Sequence, residues 1–478
     1  MKTTALLLAF VAGKGLSTVP CGGSFSCPDD NTCCPRPGGS YGCVPSEAGK
    51  GDAVCCAGGE LACPANYTCA AHGAAYPAAC VSAAGPQPDP TLSAAWPYPM
   101  GMAGWQQAYR TCPAFDGAPP LFRLPLADAG GLEFPYYSSV GALGSEGHAD
   151  VEVAMLVQHG ANRNADDYFC SGLRAASLLA AAAAAAGAPP PKVAVIAPRF
   201  MEPADAPPPN TAWWNGSDPV GYWRAGAESD PAASAAGNVT VSSFAVLDAL
   251  VAALATDNRA AYPKLRMVVI AGHSSGGQIV QRHALFTRLP PVAAAAAAGT
   301  AAAAGTAAAA PGGAAAAAAA RVRHVVANPS SFAYLDDRRW FDGALRRVSG
   351  AERAACPLFN DWQFGFGDGS LPPFCARGNA SAAAAAAVAA YAQRDVVYLQ
   401  GHNDTCNEAF VPGCESHGLE TTCMDMLEGR FRLERGLQYS RYLAAFYGRE
   451  TVHRLFVVPD VGHDHSLIWD GSLAQIFG

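Results

Sequence analysis

Residues 265–289 read LRMVVIAGHSSGGQIVQRHALFTRL, and this stretch decides the architecture. Its first part, LRMVVIA, is an unbroken apolar run rich in β-branched residues, the pattern of a strand buried on both faces. Its last part, GGQIVQRHALFTRL, continues as a helix. Between them stands Gly272-His273-Ser274-Ser275-Gly276, a G-x-S-x-G motif. A strand that runs through glycines directly into a helix must turn sharply, and the turn lifts the central serine above the sheet edge. Bulky side chains would clash at such a turn, which is why glycines flank it. Ser274 is the candidate nucleophile. The bland alternative is a Gly-rich turn with an inert serine. Ser275 is a second hydroxyl, but its position after the nucleophile suits its backbone N–H to an oxyanion hole.

The same alternation extends outward in both directions. VEVAMLVQHG (residues 151–160), KVAVIAPRF (192–200), RHVVANP (323–329), DVVYLQG (395–401) and HRLFVVPD (453–460) read as further strands. GLRAASLLAAAAAAAG and SFAVLDALVAALATD read as helices between them. Apolar runs separated by helices predict an α/β fold with a mostly parallel central sheet covered on both faces.

A serine nucleophile needs a base and an orienting carboxylate. In VVPDVGHDHSLIW, His463 follows a strand and a glycine, at the carboxyl end where an imidazole reaches Ser274; His465 is the competitor. His273 adjoins Ser274 too closely to serve as its base and reads as a packing residue, and His283 on the elbow helix reads as structural. After the strand 395–401, GHNDT offers Asp404, with Glu408 and Asp425 as alternatives. Asp404 lies 59 residues before His463, room for one helical crossover. His159-Gly160-Ala161 ends another strand; the N–H groups of Ala161 and Ser275 are the expected oxyanion donors, with Gly160 as the turn. The polar run Asn162, Arg163, Asn164, Asp166, Asp167 either positions substrate or caps a helix expected after Asp167.

From about residue 121 to the end, these motifs resemble an α/β-hydrolase of the esterase or lipase type. QHGANRNADDYF, IAGHSSGGQIVQR, NPSSFAYLD and VPDVGHDHS carry the resemblance to an extracytoplasmic branch. The order Ser274, Asp404, His463 is the order that family implies. It further implies serine hydrolysis through an acyl-enzyme, without cofactor or metal, and leaves the substrate open because the fold hosts many chemistries. A carboxylic ester of a small molecule or polymer is the expected substrate. A peptidase on the same fold and a non-enzymatic secreted interaction protein are the alternatives.

Seventeen cysteines divide unevenly along the chain. Ten lie between Cys21 and Cys80, too dense and too poor in large aliphatics for an ordinary core, so disulfides are expected to hold residues 21–80. With CPDDNTCC and SYGC, this region resembles a granulin module, which could bind carbohydrate, a protein partner or nothing. Residues 1–18, MKTTALLLAFVAGKGLST, read as a secretory signal. Residues 81–104 read as a Pro/Ala-rich linker, and 105–478 as the catalytic domain. Five sequons, at Asn66, Asn215, Asn238, Asn379 and Asn403, fit secretion, with Asn403 expected to stay unmodified beside the site. Of the remaining cysteines, Cys356 and Cys375 are expected to pair around an aromatic segment that is either a lid, an acyl-pocket wall or core. One disulfide is expected among Cys406, Cys414 and Cys423, and Cys112 or Cys170 is the expected odd thiol.

Composition narrows the partners. The net charge of −8 argues against nucleic acid or an anionic membrane. Apolar residues make up 50% of the chain, but residues 293–320 hold 21 alanines in 28 positions. This tract adds hydropathy without core volume; Gly, Thr and Pro break it, and it reads as a low-complexity insertion and not a membrane span.

Overall fold

The computed structural model describes residues 121–478, except 128, 217–221, 236, 238, 291–319, 342–343, 368–370, 377, 411–413, 415 and 449–452, together with eight short strands before residue 83. Those short strands pair as four antiparallel ribbons, Thr18–Pro20 with Ser26–Pro28, Asn31–Pro35 with Tyr41–Pro45, Val54–Cys55 with Ala62–Cys63, and Tyr67–Ala70 with Ala79–Ser82. The cysteine pairing expected there, nearly all of the signal, most of the linker and nearly all of the alanine insertion lie outside the described residues.

One eight-stranded sheet organises the rest. Its strands are β1 (Leu121–Pro125), β2 (Glu133–Ser138), β3 (Val153–Gln158), β4 (Val193–Pro198), β5 (Met267–His273), β6 (Arg321–Ala327), β7 (Asp395–Gly401) and β8 (Arg454–Val458). They lie in the order β8-β7-β6-β5-β3-β4-β2-β1. From β4 to β8 all neighbours run parallel, while β2 pairs antiparallel with both β4 and β1. This is the α/β-hydrolase fold. Strands β1 and β2 escape a reading by apolar runs, because LFRLP alternates in exposure and EFPYYS carries a proline.

Period two along each strand explains the covering layers. Met155, Val157, Val269, Ala271, Val397 and Leu399 face one side, where α1 (Ala165–Ala185) and α6 (His465–Asp470) pack with Phe169 and Trp469. Ala154, Leu156, Val268, Ile270 and Tyr398 face the other, under α2 (Ser243–Ala255), α3 (Ser275–Phe286), α4 (Ala380–Tyr391) and α5 (Arg432–Tyr447). Both faces are dry, so continuous apolar strands such as β3 and β5, buried at every position, are what the layers require.

The helix after the H-G turn begins earlier than expected. It starts at Ala165, and Asn164 makes no side-chain cap; its amide donates instead to Asp167 at 3.0 Å. Asp166 and Asp167 thus lie inside the first turn, where negative charge complements the helix dipole. By length and composition α1 could cross a membrane, yet it lies on the sheet with Tyr168, Phe169, Gly172 and Ala175 buried.

Candidate active site

At the end of β5, Ser274 adopts φ 59° and ψ −125° and serves as the N-cap of α3. A serine in the left-handed region costs on the order of 1–3 kcal/mol, so the surroundings must over-determine it. They do so through backbone. The Ser274 N–H donates to the Ala327 carbonyl at 3.0 Å. A Cβ on Gly272 would stand 2.1 Å from the Gly276 carbonyl oxygen, and one on Gly276 only 2.4 Å from that of Gln158. Both flanking glycines are therefore sterically obligatory. Ser274 stays half-buried, whereas Ser275 is buried. As the first residue of α3, Ser275 keeps an N–H that the helix itself does not use.

His463 and Asp404 meet at the carboxyl ends of β8 and β7. Nδ1 of His463 lies 2.7 Å from Oδ2 of Asp404. The carboxylate is buried, and Arg432 Nη1 stands 3.6 Å from its other oxygen. Burial pushes the Asp404 carboxyl above its ordinary value, with Arg432 pulling the other way. Burial, and then the Arg432 charge, holds His463 well below the usual imidazole range. The ring is thus neutral at pH 7, donating Nδ1–H to Asp404 and leaving a lone pair on Nε2. Its side chain retains 7% exposure. It rests on His273, with ring centroids 4.3 Å apart.

The competitors are held elsewhere. His465 sits between Ser171 Oγ at 2.9 Å and Asp167 Oδ2 at 3.2 Å, stacked on Tyr168. Glu408 accepts from the N–H and hydroxyl of Ser416. Asp425 closes a capping box with Thr422. His283 pairs with Asp248 at 2.9 Å inside the fold. His273 is buried, with Tyr168 Oη 3.1 Å from its Nδ1, and packs under the site.

The H-G turn is locked by a histidine whose role its position alone does not reveal. His159 Nδ1 donates to the Gly160 carbonyl at 2.8 Å, while its Nε2 accepts from the Phe200 N–H at 3.0 Å. Burial pushes this histidine down to about 3, so that single tautomer is fixed. The Arg163 N–H also donates to the Gly160 carbonyl, at 3.2 Å. In a trans peptide the N–H opposes the carbonyl, so these bonds aim the exposed Ala161 N–H the other way. The turn also packs against Tyr168, whose Oη would lie 3.0 Å from a Cβ placed on Gly160. A Cβ on Gly160 would lie 3.4 Å from that of Ser274, so the turn adjoins the elbow. Arg163, at φ 58°, ties it outward to Asp205 at 2.6 Å and Glu202 at 2.9 Å. Neither Arg163 nor Arg432 was identifiable as an anchor from sequence, because each partner lies far away along the chain or is a backbone group.

Two cysteine expectations are corrected. Cys356 bonds to Cys423, not Cys375, whereas Cys406 bonds to Cys414 as the one disulfide expected among Cys406, Cys414 and Cys423. Cys375 is a buried thiol, and Cys170 is disulfide-bonded and so is not the odd one. The aromatic segment they bracket packs as core: Trp362 donates Nε1–H to the Ala225 carbonyl at 2.6 Å and meets Phe286 edge-on. Phe286 is the last residue of α3, some 16 Å along the helix from its start. Among the sequons, Asn215 and Asn379 are exposed and Asn403 is half-buried.

No group of three His, Cys, Asp or Glu side chains among the described residues is arranged to hold a metal ion. No protein-family model matches the chain, and no curated protein matches it. Several solved structures are similar to it. The poly(aspartic acid) hydrolase-1 of Sphingomonas sp. KT-1 is 18% identical with a TM-score of 0.44, over 75% of this chain and 99% of that one. A poly(3-hydroxybutyrate) depolymerase of Bordetella parapertussis is 18% identical with a TM-score of 0.41, over 75% and 88%. An S-formylglutathione hydrolase of Agrobacterium tumefaciens is 13% identical with a TM-score of 0.34, over 75% and 95%.

Proposed function

We propose that the protein is a secreted serine hydrolase that cleaves carboxylic esters, with Ser274 as nucleophile, His463 as base and Asp404 as its orienting carboxylate. The observation that carries this reading is His463, hydrogen-bonded at Nδ1 to a buried carboxylate, at the same carboxyl end of the sheet that bears a strained serine. His463 Nε2 takes the proton as Ser274 Oγ attacks the ester carbonyl. Negative charge then develops on the carbonyl oxygen, where the N–H groups of Ala161 and Ser275 receive it. The imidazolium, steadied by Asp404, protonates the departing alkoxide and leaves an acyl-enzyme. Water, deprotonated by the same ring, releases the acid and restores Ser274. Esters come first among acyl compounds because an alkoxide leaves with less help than an amine.

The test is labelling by a fluorophosphonate together with hydrolysis of activated aryl esters. Ser274→Ala is expected to abolish labelling and to lower kcat on the order of 10⁴–10⁶-fold. A wild type that is neither labelled nor active would overturn the reading. Secretion, supported by the leader-like residues 1–18 and the disulfides, is checked by N-glycan analysis at the exposed Asn215 and Asn379. The module at residues 21–80, resembling granulin, is assigned as a separate disulfide-held unit ahead of the catalytic domain.

A further inference from the structure

One buried amide at the end of β6 takes no part in the reaction above, yet it touches all three segments that carry it. Asn328 follows Ala327, is fully buried and adopts φ 41°. Its Oδ1 accepts the Gly401 N–H at 2.7 Å. Its Nδ2 donates to the Gly462 carbonyl at 3.2 Å and lies 3.5 Å from His273 Nε2. Its own N–H donates to the Leu399 carbonyl at 3.0 Å. Gly462 immediately precedes His463, His273 immediately precedes Ser274, and Gly401 stands three residues before Asp404.

We propose that Asn328 is a positioning residue that sets the acid strand and the base loop in register beneath the nucleophile. Its two main partners are backbone groups of fixed polarity, so the orientation of the amide is unambiguous. The gap it spans is narrow. A Cβ on Gly401 would stand 2.5 Å from the carbonyl oxygens of both Val461 and Gly462. The asparagine amide carries its donor and its acceptor on separate atoms, so one short side chain can bridge a backbone N–H on one segment and a carbonyl on the other. Asparagine also tolerates the left-handed backbone found here. Aspartate keeps the acceptor and loses the donor; alanine loses both. Errors of about 1 Å in such a constellation cost on the order of 10²-fold in rate, which sets the size of the effect.

The inference rests on the hydrolase reading, and the test separates the two. Full-length wild type, Asn328→Ala and Asn328→Asp are compared for kcat and KM on an aryl ester, and for amide hydrogen exchange over residues 398–405 and 459–466. Asn328→Ala is expected to lose on the order of 10² in kcat per folded molecule, with KM within about threefold, and to speed exchange in both segments. Asn328→Asp is expected to speed exchange only in 459–466, because the Gly401 bond survives. Water admitted to His463 by the loosened loop also relieves its burial, so the acid limb of the pH–rate profile rises in both variants. A residue that merely supported the fold would lower the melting temperature and leave that limb in place. Unchanged kcat and unchanged exchange in both variants overturn the proposal. If the wild type itself neither hydrolyses esters nor labels at Ser274, the hydrolase reading fails, and the exchange data still decide whether Asn328 couples the two segments. Should Asn328→Ala not fold, the isosteric Asn328→Asp carries the same comparison.

Discussion

The elbow at residues 272–277 and the acid loop at 402–431 both belong to the proposed site, yet they are built in opposite ways. The elbow is held by backbone packed on backbone. Cβ atoms added at Gly272, Gly276 and Gly277 would come within 2.1–2.6 Å of carbonyl oxygens. The acid loop is held by side chains reaching across long intervals. Arg432 donates to the Ser416 carbonyl at 2.6 Å, Asn407 to the Arg430 carbonyl at 2.6 Å, and Cys423 is tied to Cys356 over 67 residues. A turn made by sterics leaves its mark in a few adjacent residues. A loop made by tethers leaves only scattered polar residues and cysteines.

Substitutions at the carboxylates probe the acid loop most sharply. Asp404→Asn is expected to lower kcat on the order of 10⁴-fold, while Glu408→Gln and Asp425→Asn, whose carboxylates are engaged in the loop itself, stay within about tenfold. Comparable losses at all three, measured by ester hydrolysis per folded molecule, would show that the loop and not one carboxylate matters.

Glycine substitutions set the two regions side by side. Gly276→Ala forces a Cβ into backbone and is expected to cost more than about 4 kcal/mol or prevent folding. Gly418→Ala, at φ 66° with nothing within 4 Å, meets only backbone strain of about 1 kcal/mol. Urea melts of the two variants check the contrast, and equal losses would break it.

Next in size is the tether. Replacing Cys356 and Cys423 together by serine frees a long loop and is expected to cost at most about 4 kcal/mol by chain entropy. Most of the loss should appear as a lowered melting temperature, with activity per folded molecule falling less than for Asp404→Asn.

The smallest effect per group comes from protons. Burial holds His159 at about 3 and His402 and His453 at about 4. These folded values lie below the unfolded value of 6.5, so the stability they confer is complete above pH 6.5. It is lost as pH falls from there through about 4 for His402 and His453, and through about 3 for His159. At pH 5.5 each contributes a loss of about 1 kcal/mol, seen as a declining denaturation midpoint between pH 7 and 5. A flat midpoint over that range would mean these rings unfold without gaining protons.

Much of the sheet could be read from runs such as VEVAMLVQ and LRMVVIA, because strands buried on both faces must be continuously apolar. The edge strands could not, since Leu121–Pro125 alternates and Pro135 interrupts its neighbour. The pairing of Cys356 with Cys423 was invisible for a related reason. Spacing favoured the nearer Cys375, but that thiol faces the core while Cys423 rides on a short helix beside the segment.

Sequence alone determined the parallel core, the turn at Ser274 and the chain order of serine, aspartate and histidine, because each is written in contiguous residues or in simple succession. Only the tertiary structure decided which histidine meets which carboxylate. His463 and His465 are two residues apart, yet one reaches Asp404 and the other Asp167. The choice depends on which way a loop leaves β8 and what already fills the space beneath it. That is a property of packing between distant segments, and no local pattern encodes it.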